Sequence, residues 1–131
     1  MLGHLGVNVL DLDAARRYWE VLMPMLGFEA FRDDVDQLAY RPAGGKPGTY
    51  VFIYCAHDAR PYSAEAVGLQ HLAFMVPTRQ DVHEVYGAAL ALGSEPVHEP
   101  QVFPQYPQPY FAAFWRDLVG FTIEAVCHHD R

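Results

Sequence analysis

Two short stretches of the chain alternate between apolar and small or polar residues, the pattern of a strand that buries one face. The apolar positions of these stretches are Leu5, Val7, Val9, Leu72, Phe74 and Val76. A histidine stands at the head of each stretch, His4 in the first and His71 in the second. Each histidine falls on the face opposite the apolar one. The pattern therefore predicts two strands, near residues 5–9 and 72–76, whose second face carries an imidazole.

The two strands belong to a longer internal repeat. The segment HLGVNVLDLDAARRYWEVLMPMLGFE begins at His4, and HLAFMVPTRQDVHEVYGAALALGSE begins at His71. The two segments align almost without gaps, so that Gly27 in the first matches Gly93 in the second. A period near half the chain length predicts two copies of one supersecondary unit.

A helix follows the first strand of each copy. Either Asp11 or Asp13 is the N-cap expected for the first helix, and Thr78 is the N-cap expected for the second. We expect a proline, Pro24, to break the first helix, and the two matched glycines to end the helical regions.

Three shorter strands follow each helix and are separated by turn residues such as the segment PAGGKPG. They are predicted near residues 28–31, 37–41, 50–55, 95–98, 110–115 and 121–127. The fold class is therefore α+β, with two βαβββ modules in a single domain over residues 1–131. The first module covers about 1–56, a linker about 57–68, and the second module about 69–127.

Composition places the chain among globular proteins and narrows its partners. Hydrophobic residues make up 51% of the 131 residues and charged residues 19%. A net charge of −7 without a basic cluster disfavours nucleic acid and anionic membranes as partners. The first residues lack the basic start and apolar run of a signal peptide. Two cysteines make no disulfide framework, so we expect a cytoplasmic protein that binds neither nucleic acid nor membrane.

The last predicted strand adds an acidic residue to the two histidines. Glu124 lies in the apolar stretch GFTIEAVCHHD, where a carboxylate is costly unless it is paired, hydrogen-bonded or bound to a metal. Two imidazoles and one carboxylate form a set that holds Fe(II), Zn, Ni or Mn and leaves positions open. A lone strand histidine is more often a polar residue with an ordinary hydrogen-bond partner. Equivalent places in a repeat favour the metal hypothesis, with His4, His71 and Glu124 as ligands.

These features resemble the vicinal oxygen chelate superfamily, which includes glyoxalase I, extradiol dioxygenases, fosfomycin-resistance enzymes and bleomycin-resistance proteins. The resemblance covers almost the whole chain. It lies in the two repeat segments and in the closing FWRDLVGFTIEAV, where Leu118 replaces the usual proline. Because Asp117 and Gly120 remain, we expect the turn to be retained. The resemblance implies that the two modules curl a mixed sheet into a U-shaped cleft around a metal held by the three ligands.

The fourth predicted strand, TYVFIYC, has no histidine, aspartate or glutamate where glyoxalase I carries a fourth ligand. Tyr54 and Cys55 are the candidates for that place, and the alternative is that both are ordinary packed side chains. A three-ligand set resembles that of the extradiol dioxygenases more than that of glyoxalase I.

A proline-rich segment, HEPQVFPQYPQPYFAAFW, joins the sixth and seventh predicted strands. Prolines stiffen an extended loop. The segment either closes over the cleft and presents Tyr106 or Tyr110 to a ligand, or packs as a rigid surface connection. His98 is a candidate acid–base group because an imidazole titrates near neutrality, and a solvent-exposed histidine is the alternative.

The resemblance implies a divalent-metal enzyme that binds a small molecule through two neighbouring oxygens and stabilises an enolate or oxyanion. Zn or Ni would support lyase or isomerase chemistry, and Fe(II) or Mn would permit ring-cleaving dioxygenation. The alternative is a metal-free small-molecule binding protein of the bleomycin-resistance type, which an aromatic content of 14% would suit. We also expect a homodimer, since paired modules of this kind often associate through sheet edges.

Overall fold

Both halves of the chain fold in the order strand, helix and three strands, as the internal repeat predicts. In the computed structural model, which describes residues 1–131, the halves form the units Met1–Arg60 and Pro61–Arg131. The first unit contains β1 (His4–Val9), α1 (Leu12–Met25), β2 (Phe28–Asp33), β3 (Gln37–Pro42) and β4 (Tyr50–Cys55). The second contains β5 (Leu72–Met75), α2 (Arg79–Ala91), β6 (Glu95–Val102), β7 (Phe111–Arg116) and β8 (Thr122–Cys127). The α+β class is therefore confirmed.

The first unit is a four-stranded mixed sheet in the order β1-β4-β3-β2. β1 runs parallel to β4, and the other neighbours are antiparallel. The residues that form the core of this unit alternate along the strands and recur along α1. They include Leu22, Met23, Leu38, Tyr40, Val51 and Ile53, all almost without exposed surface. The sheet thus buries one face beneath the helix and leaves the other face for different chemistry.

The second unit repeats this topology in the order β5-β8-β7-β6, again with one parallel pair, β5 with β8. Its core lies between α2 and one face of the sheet. Val82 and Val85 of α2 and Trp115 and Ile123 of the sheet are fully buried there. Neither helix of the chain has the length and apolar character needed to cross a lipid bilayer.

The ends of the two helices differ in part from the predicted ones. Asp11 rather than Asp13 caps α1, and its carboxylate accepts a hydrogen bond from the Ala14 N–H at 3.1 Å. Thr78 caps α2 in a reciprocal capping box. The prediction that Pro24 breaks α1 is wrong, because α1 continues to Met25. Only one helical residue follows the proline, so a distortion at Pro24 displaces almost none of the helix.

The strands match the prediction closely except at β5 and β6. β5 begins at Leu72, so that His71 immediately precedes it. β6 runs on to Val102, into the segment that the sequence marks as a proline-rich connection. It is the edge strand of its sheet, and its register shifts on both sides of His98. An edge position and bulges are where a sheet tolerates proline, because no ladder hydrogen bond is then lost.

The turn between β7 and β8 is retained although Leu118 stands where the superfamily has proline. One oxygen of Asp117 accepts hydrogen bonds from the backbone N–H groups of Val119, Gly120 and Phe121 at 2.9 to 3.0 Å. Gly120 has a φ of 107°, a conformation that glycine adopts without strain. Asp117 is only 8% exposed, and burial raises its pKa to about 6 although the three hydrogen bonds act in the opposite direction.

The raised pKa of Asp117 predicts a stability that falls as pH rises. The folded state binds the proton of Asp117 more tightly than the unfolded state, in which the pKa is near 3.8. The resulting contribution to the free energy of unfolding is complete below pH 3.8 and is lost as the pH rises through about 6. The difference between the two pKa values corresponds to about 3 kcal/mol. We expect the free energy of unfolding of the wild type, measured against that of Asp117→Asn by denaturant titration, to fall by up to this amount between pH 4 and pH 7. A difference that stays constant or rises with pH would show that the three N–H groups outweigh burial.

Candidate functional site

One row of residues crosses the sheet of the second unit and contains the predicted acidic ligand. Ala73 of β5, Glu124 of β8, Phe114 of β7 and His98 of β6 are successive Cα partners. Partnered residues project to the same face of a sheet. The opposite face is the one that meets α2, where the ring of Trp115 lies 6.4 Å from that of Tyr86. Glu124 and His98 therefore share the face that the helix leaves uncovered.

Glu124 is buried to 1% exposure, and its two carboxylate oxygens have different partners. Oε1 lies 3.3 Å from Nε2 of His71. Oε2 accepts a hydrogen bond of 2.5 Å from the hydroxyl of Tyr110. A carboxylate withdrawn from water is tolerated only when it is paired with a positive charge and hydrogen-bonded. Tyr110 supplies the hydrogen bond, and the pairing requires a positive charge at His71. The structure thus brings together two of the three predicted ligands.

The two ring nitrogens of His71 have different partners. Nδ1 lies 2.5 Å from Oε1 of Gln70, and Nε2 lies 3.3 Å from Oε1 of Glu124. With the Gln70 oxygen as the acceptor, Nδ1 carries the proton of the neutral ring and Nε2 carries a lone pair. Two electron-rich atoms 3.3 Å apart repel each other unless a positive charge lies with them. That charge is either a second proton on the ring or a metal cation.

Tyr110 reaches Glu124 from the end of the proline-rich segment. Burial and the hydrogen bond to Glu124 both raise the pKa of the Tyr110 phenol well above its usual range. The phenol therefore stays protonated near neutral pH and acts as a donor. The side chain packs against a small apolar cluster of Phe103, Ala112 and Val126, which closes this part of the sheet face.

The other two candidates from the sequence, His98 and Tyr106, lie nearby without a hydrogen bond to Glu124. His98 is exposed, with its ring edge-on to Phe114 at 5.5 Å and to Phe103 at 5.7 Å. Tyr106 is 44% exposed, and its ring lies 4.8 Å from that of Tyr110. Both side chains thus border the Glu124 face from solvent.

His4 belongs to the first unit, where it begins β1 and is exposed. Its ring lies edge-on to Phe52 at 5.4 Å. The sheet face that carries His4 is rich in aromatic side chains. Phe52 stacks on Tyr54 with an angle of 10° between the rings, and Phe31 contacts Tyr50 and Phe52 edge-on. This face offers planar apolar surface around an imidazole.

The two sheets can be compared position by position because β1 pairs with β4 as β5 pairs with β8. Two residues after His71, Ala73 partners Glu124, and two residues after His4, Gly6 partners Phe52. Phe52 of the first unit therefore occupies the position that corresponds to Glu124 of the second unit. Tyr54 lies one position farther along the same face, and Cys55 faces the other way, with its thiol 3.8 Å from the carbonyl of Leu10. The register thus puts neither predicted candidate at the fourth-ligand place.

Neither unit contains within itself a group of three or more His, Cys, Asp or Glu side chains that could hold a metal ion. The second unit supplies the His71–Glu124 pair, and His4 is the corresponding residue of the first. Sequence reasoning did not identify Gln70 or the contact between Tyr110 and Glu124. Gln70 is next to His71 in the chain, and adjacent residues of a strand project to opposite faces. The alternating pattern therefore did not indicate that the two side chains make contact.

The contacts of Glu124 predict different stabilities for two substitutions in metal-free protein. In Glu124→Gln the amide oxygen can accept from Tyr110 and the amide N–H can donate to Nε2 of His71, so both partners keep a hydrogen bond without a buried charge. We expect its melting temperature, measured with a chelator present, to equal or exceed that of the wild type. Glu124→Ala leaves a cavity and an unpaired phenol, at a cost of about 2 kcal/mol or more. A glutamine variant as unstable as the alanine variant would contradict this description of the site.

Solved structures show where this fold occurs in known proteins. A "putative glyoxalase" from Bacillus halodurans shares 25% sequence identity, with 97% of this chain and 95% of that chain covered and a TM-score of 0.82. A glyoxalase/bleomycin resistance protein from Albidiferax ferrireducens shares 20% identity over 97% of this chain and 98% of that one, with a TM-score of 0.76. The fosfomycin resistance protein FosX from Listeria monocytogenes shares 16% identity over 99% and 94%, with a TM-score of 0.70.

No protein-family model and no curated protein sequence matches the chain. Its likeness to known proteins therefore lies in the fold, which is shared over nearly the full length of each of these structures. The chain has the glyoxalase/bleomycin resistance/dioxygenase fold, and these likenesses support its membership of the vicinal oxygen chelate superfamily.

Proposed function

We propose that the protein is a divalent-metal-dependent enzyme that binds a small substrate through two neighbouring oxygens. The observation that carries the proposal is the pairing of Nε2 of His71 with Oε1 of the buried Glu124. His71 and Glu124 would hold the ion together with His4 of the first unit. The likeness to proteins named as glyoxalases and as a fosfomycin resistance protein supports an enzymatic role.

The donor atoms of the second unit suit a divalent ion. Imidazole nitrogen and carboxylate oxygen bind such ions at about 2.0–2.2 Å, which places two neighbouring donor atoms about 3 Å apart. The separation of 3.3 Å between Nε2 and Oε1 is close to that value. The interaction of Nδ1 with Gln70 also leaves Nε2 as the nitrogen able to bind a cation. This arrangement supports a role of the pair as metal ligands.

A bound divalent ion would act as a Lewis acid that polarises the substrate oxygens and stabilises the negative charge that develops on them. The protein supplies the remaining functions. Phe103 and Phe114 keep the Glu124 face apolar, which strengthens electrostatic interactions there. His98, exposed in the same row as Glu124, is the group that we propose moves a proton to or from the substrate.

The reaction class follows from the metal. With Zn or Ni the proposed site would act as a lyase or isomerase, and with Fe(II) or Mn it would act as a ring-cleaving dioxygenase. Turnover of methylglyoxal with a thiol and oxygen uptake with catechols separate the two classes. We further propose that the functional form is a homodimer, which sedimentation or light scattering of the purified protein would establish.

A second candidate function is metal-free binding of an aromatic small molecule, as in bleomycin-resistance proteins. The specific observation in its favour is the aromatic face of the first unit, where Phe31, Phe52 and Tyr54 are arranged to stack on planar rings. The two candidates differ in their response to a chelator. Aromatic ligand binding that persists unchanged in chelator would favour the binding protein.

The metal hypothesis predicts a selective loss of metal in ligand variants. Protein stripped with a chelator and incubated with Fe(II), Zn, Ni or Mn should retain about one ion per chain by mass spectrometry of the metal. His4→Ala, His71→Ala and Glu124→Gln should lose affinity by more than the roughly 10–100-fold typical of outer-sphere changes.

His83→Ala is the matched control, because this histidine lies on α2 against Phe111 and outside the proposed site. It should bind metal as the wild type does. A wild-type protein that takes up none of the four metals, or a His71→Ala variant that binds normally, would contradict the proposal.

The register of β4 predicts that no fourth protein ligand comes from that strand. Tyr54→Phe and Cys55→Ala should therefore keep the metal affinity of the wild type within about twofold, well below the loss expected for a removed ligand. Competition with a coloured chelator measures this directly. A large loss in either variant would show that one of these side chains does coordinate.

A further inference from the structure

Glu124 gives its two oxygens to different partners, and this division restricts how it can bind a cation. Oε1 faces Nε2 of His71, whereas Oε2 accepts the hydrogen bond from Tyr110. A carboxylate can bind a metal through one oxygen or through both. The Tyr110 hydroxyl takes up one lone pair of Oε2. Oε1, which faces His71 and does not bond the phenol, is the oxygen better placed to bind a cation.

Tyr110 is held in place by the segment that carries it. The N–H of Phe103 donates to the carbonyl of Tyr110 at 3.0 Å, so the two ends of the segment are joined. Gln108 ties the interior together, because its side-chain N–H group donates to the carbonyls of Phe103 at 2.7 Å and of Tyr106 at 2.9 Å. The Tyr110 N–H donates back to the Gln108 side-chain oxygen at 3.3 Å. The segment therefore holds the position of Tyr110 without help from Glu124.

The ring of Tyr110 is also fixed by packing. It lies between Phe103 at 6.2 Å, Tyr106 at 4.8 Å and His128 at 5.1 Å, measured between ring centroids. Phe103 is itself buried against Ala112 and Val126 of the sheet. A side chain enclosed on several sides has few rotamers available. The phenol thus directs its hydroxyl to Oε2 as a preset feature of the fold.

We propose that Tyr110 is a positioning residue that makes Glu124 a one-oxygen metal ligand. This inference rests on the proposed function, because it concerns the same ion. By holding Oε2, Tyr110 keeps Oε1 in line with His71 and leaves one more position open for the two oxygens of a substrate. Tyr110 acts through Glu124 and does not itself bind the metal. Outer-sphere partners of this kind commonly change metal affinity by about 10–100-fold.

The test compares Tyr110→Phe with Tyr106→Phe, a matched control that removes an exposed hydroxyl from the neighbouring ring. Each variant and the wild type are loaded with Co(II), whose visible absorption reports the number and arrangement of its ligands. Affinity is measured in parallel by competition with a chelator, and thermal unfolding of the metal-free proteins checks that each variant is folded.

We expect Tyr110→Phe to bind Co(II) about 10-fold or more weakly, with a weaker visible band, as Glu124 turns to bind through both oxygens. Tyr106→Phe should match the wild type in affinity and spectrum. A Tyr110→Phe protein with the affinity and spectrum of the wild type would overturn the role of Tyr110 and leave the proposed function intact. Failure of the wild type itself to bind Co(II) would overturn both.

Discussion

The carboxylate of Glu124, buried in the middle of β8, is stable only with hydrogen-bond donors and a positive charge beside it. Glu124 has almost no contact with water, and an isolated charge there would be strongly disfavoured. The Tyr110 hydroxyl donates a hydrogen bond to one oxygen of Glu124. Nε2 of His71 faces the other oxygen, and with Gln70 accepting from Nδ1 this Nε2 carries a lone pair. The remaining lone pair facing Oε1 leaves a place for a positive charge, and this unmet requirement is the physical basis of the proposed metal site.

The two modules share a topology but differ in the chemistry of the face that the helix leaves open. Where the second module has Glu124, the first has Phe52, and aromatic rings surround it. His4 and His71 are the residues that both modules keep at the head of the first strand. In our proposal the second module contributes most of the metal ligands, while the first adds one histidine and an aromatic surface suited to a planar substrate.

Alternation and repetition in the sequence were enough to predict the α+β fold, the strand order along the chain and the face on which Glu124 lies. The differences between prediction and structure have identifiable physical reasons. Pro24 was expected to break a helix, but it occupies the next-to-last helical position, and α1 ends one residue later at Met25. The fourth-ligand place could not be assigned, because strand pairing fixes the register and a single strand does not reveal its partner. Tyr110 was one of three candidates, and only the folded segment showed which one meets Glu124.

In the proposed site His71 and Glu124 share a cation rather than a proton. Anomalous diffraction from crystals of the full chain soaked in Zn(II) or Mn(II) can distinguish the two, because the signal locates the ion itself. We expect a peak within bonding distance of Nε2 of His71 and of a single oxygen, Oε1, of Glu124, with the Tyr110 hydroxyl still bonded to the other oxygen. A peak confined to the exposed His128 and His129 near the C-terminus, with His71 and Glu124 in direct contact and no ion between them, would contradict it.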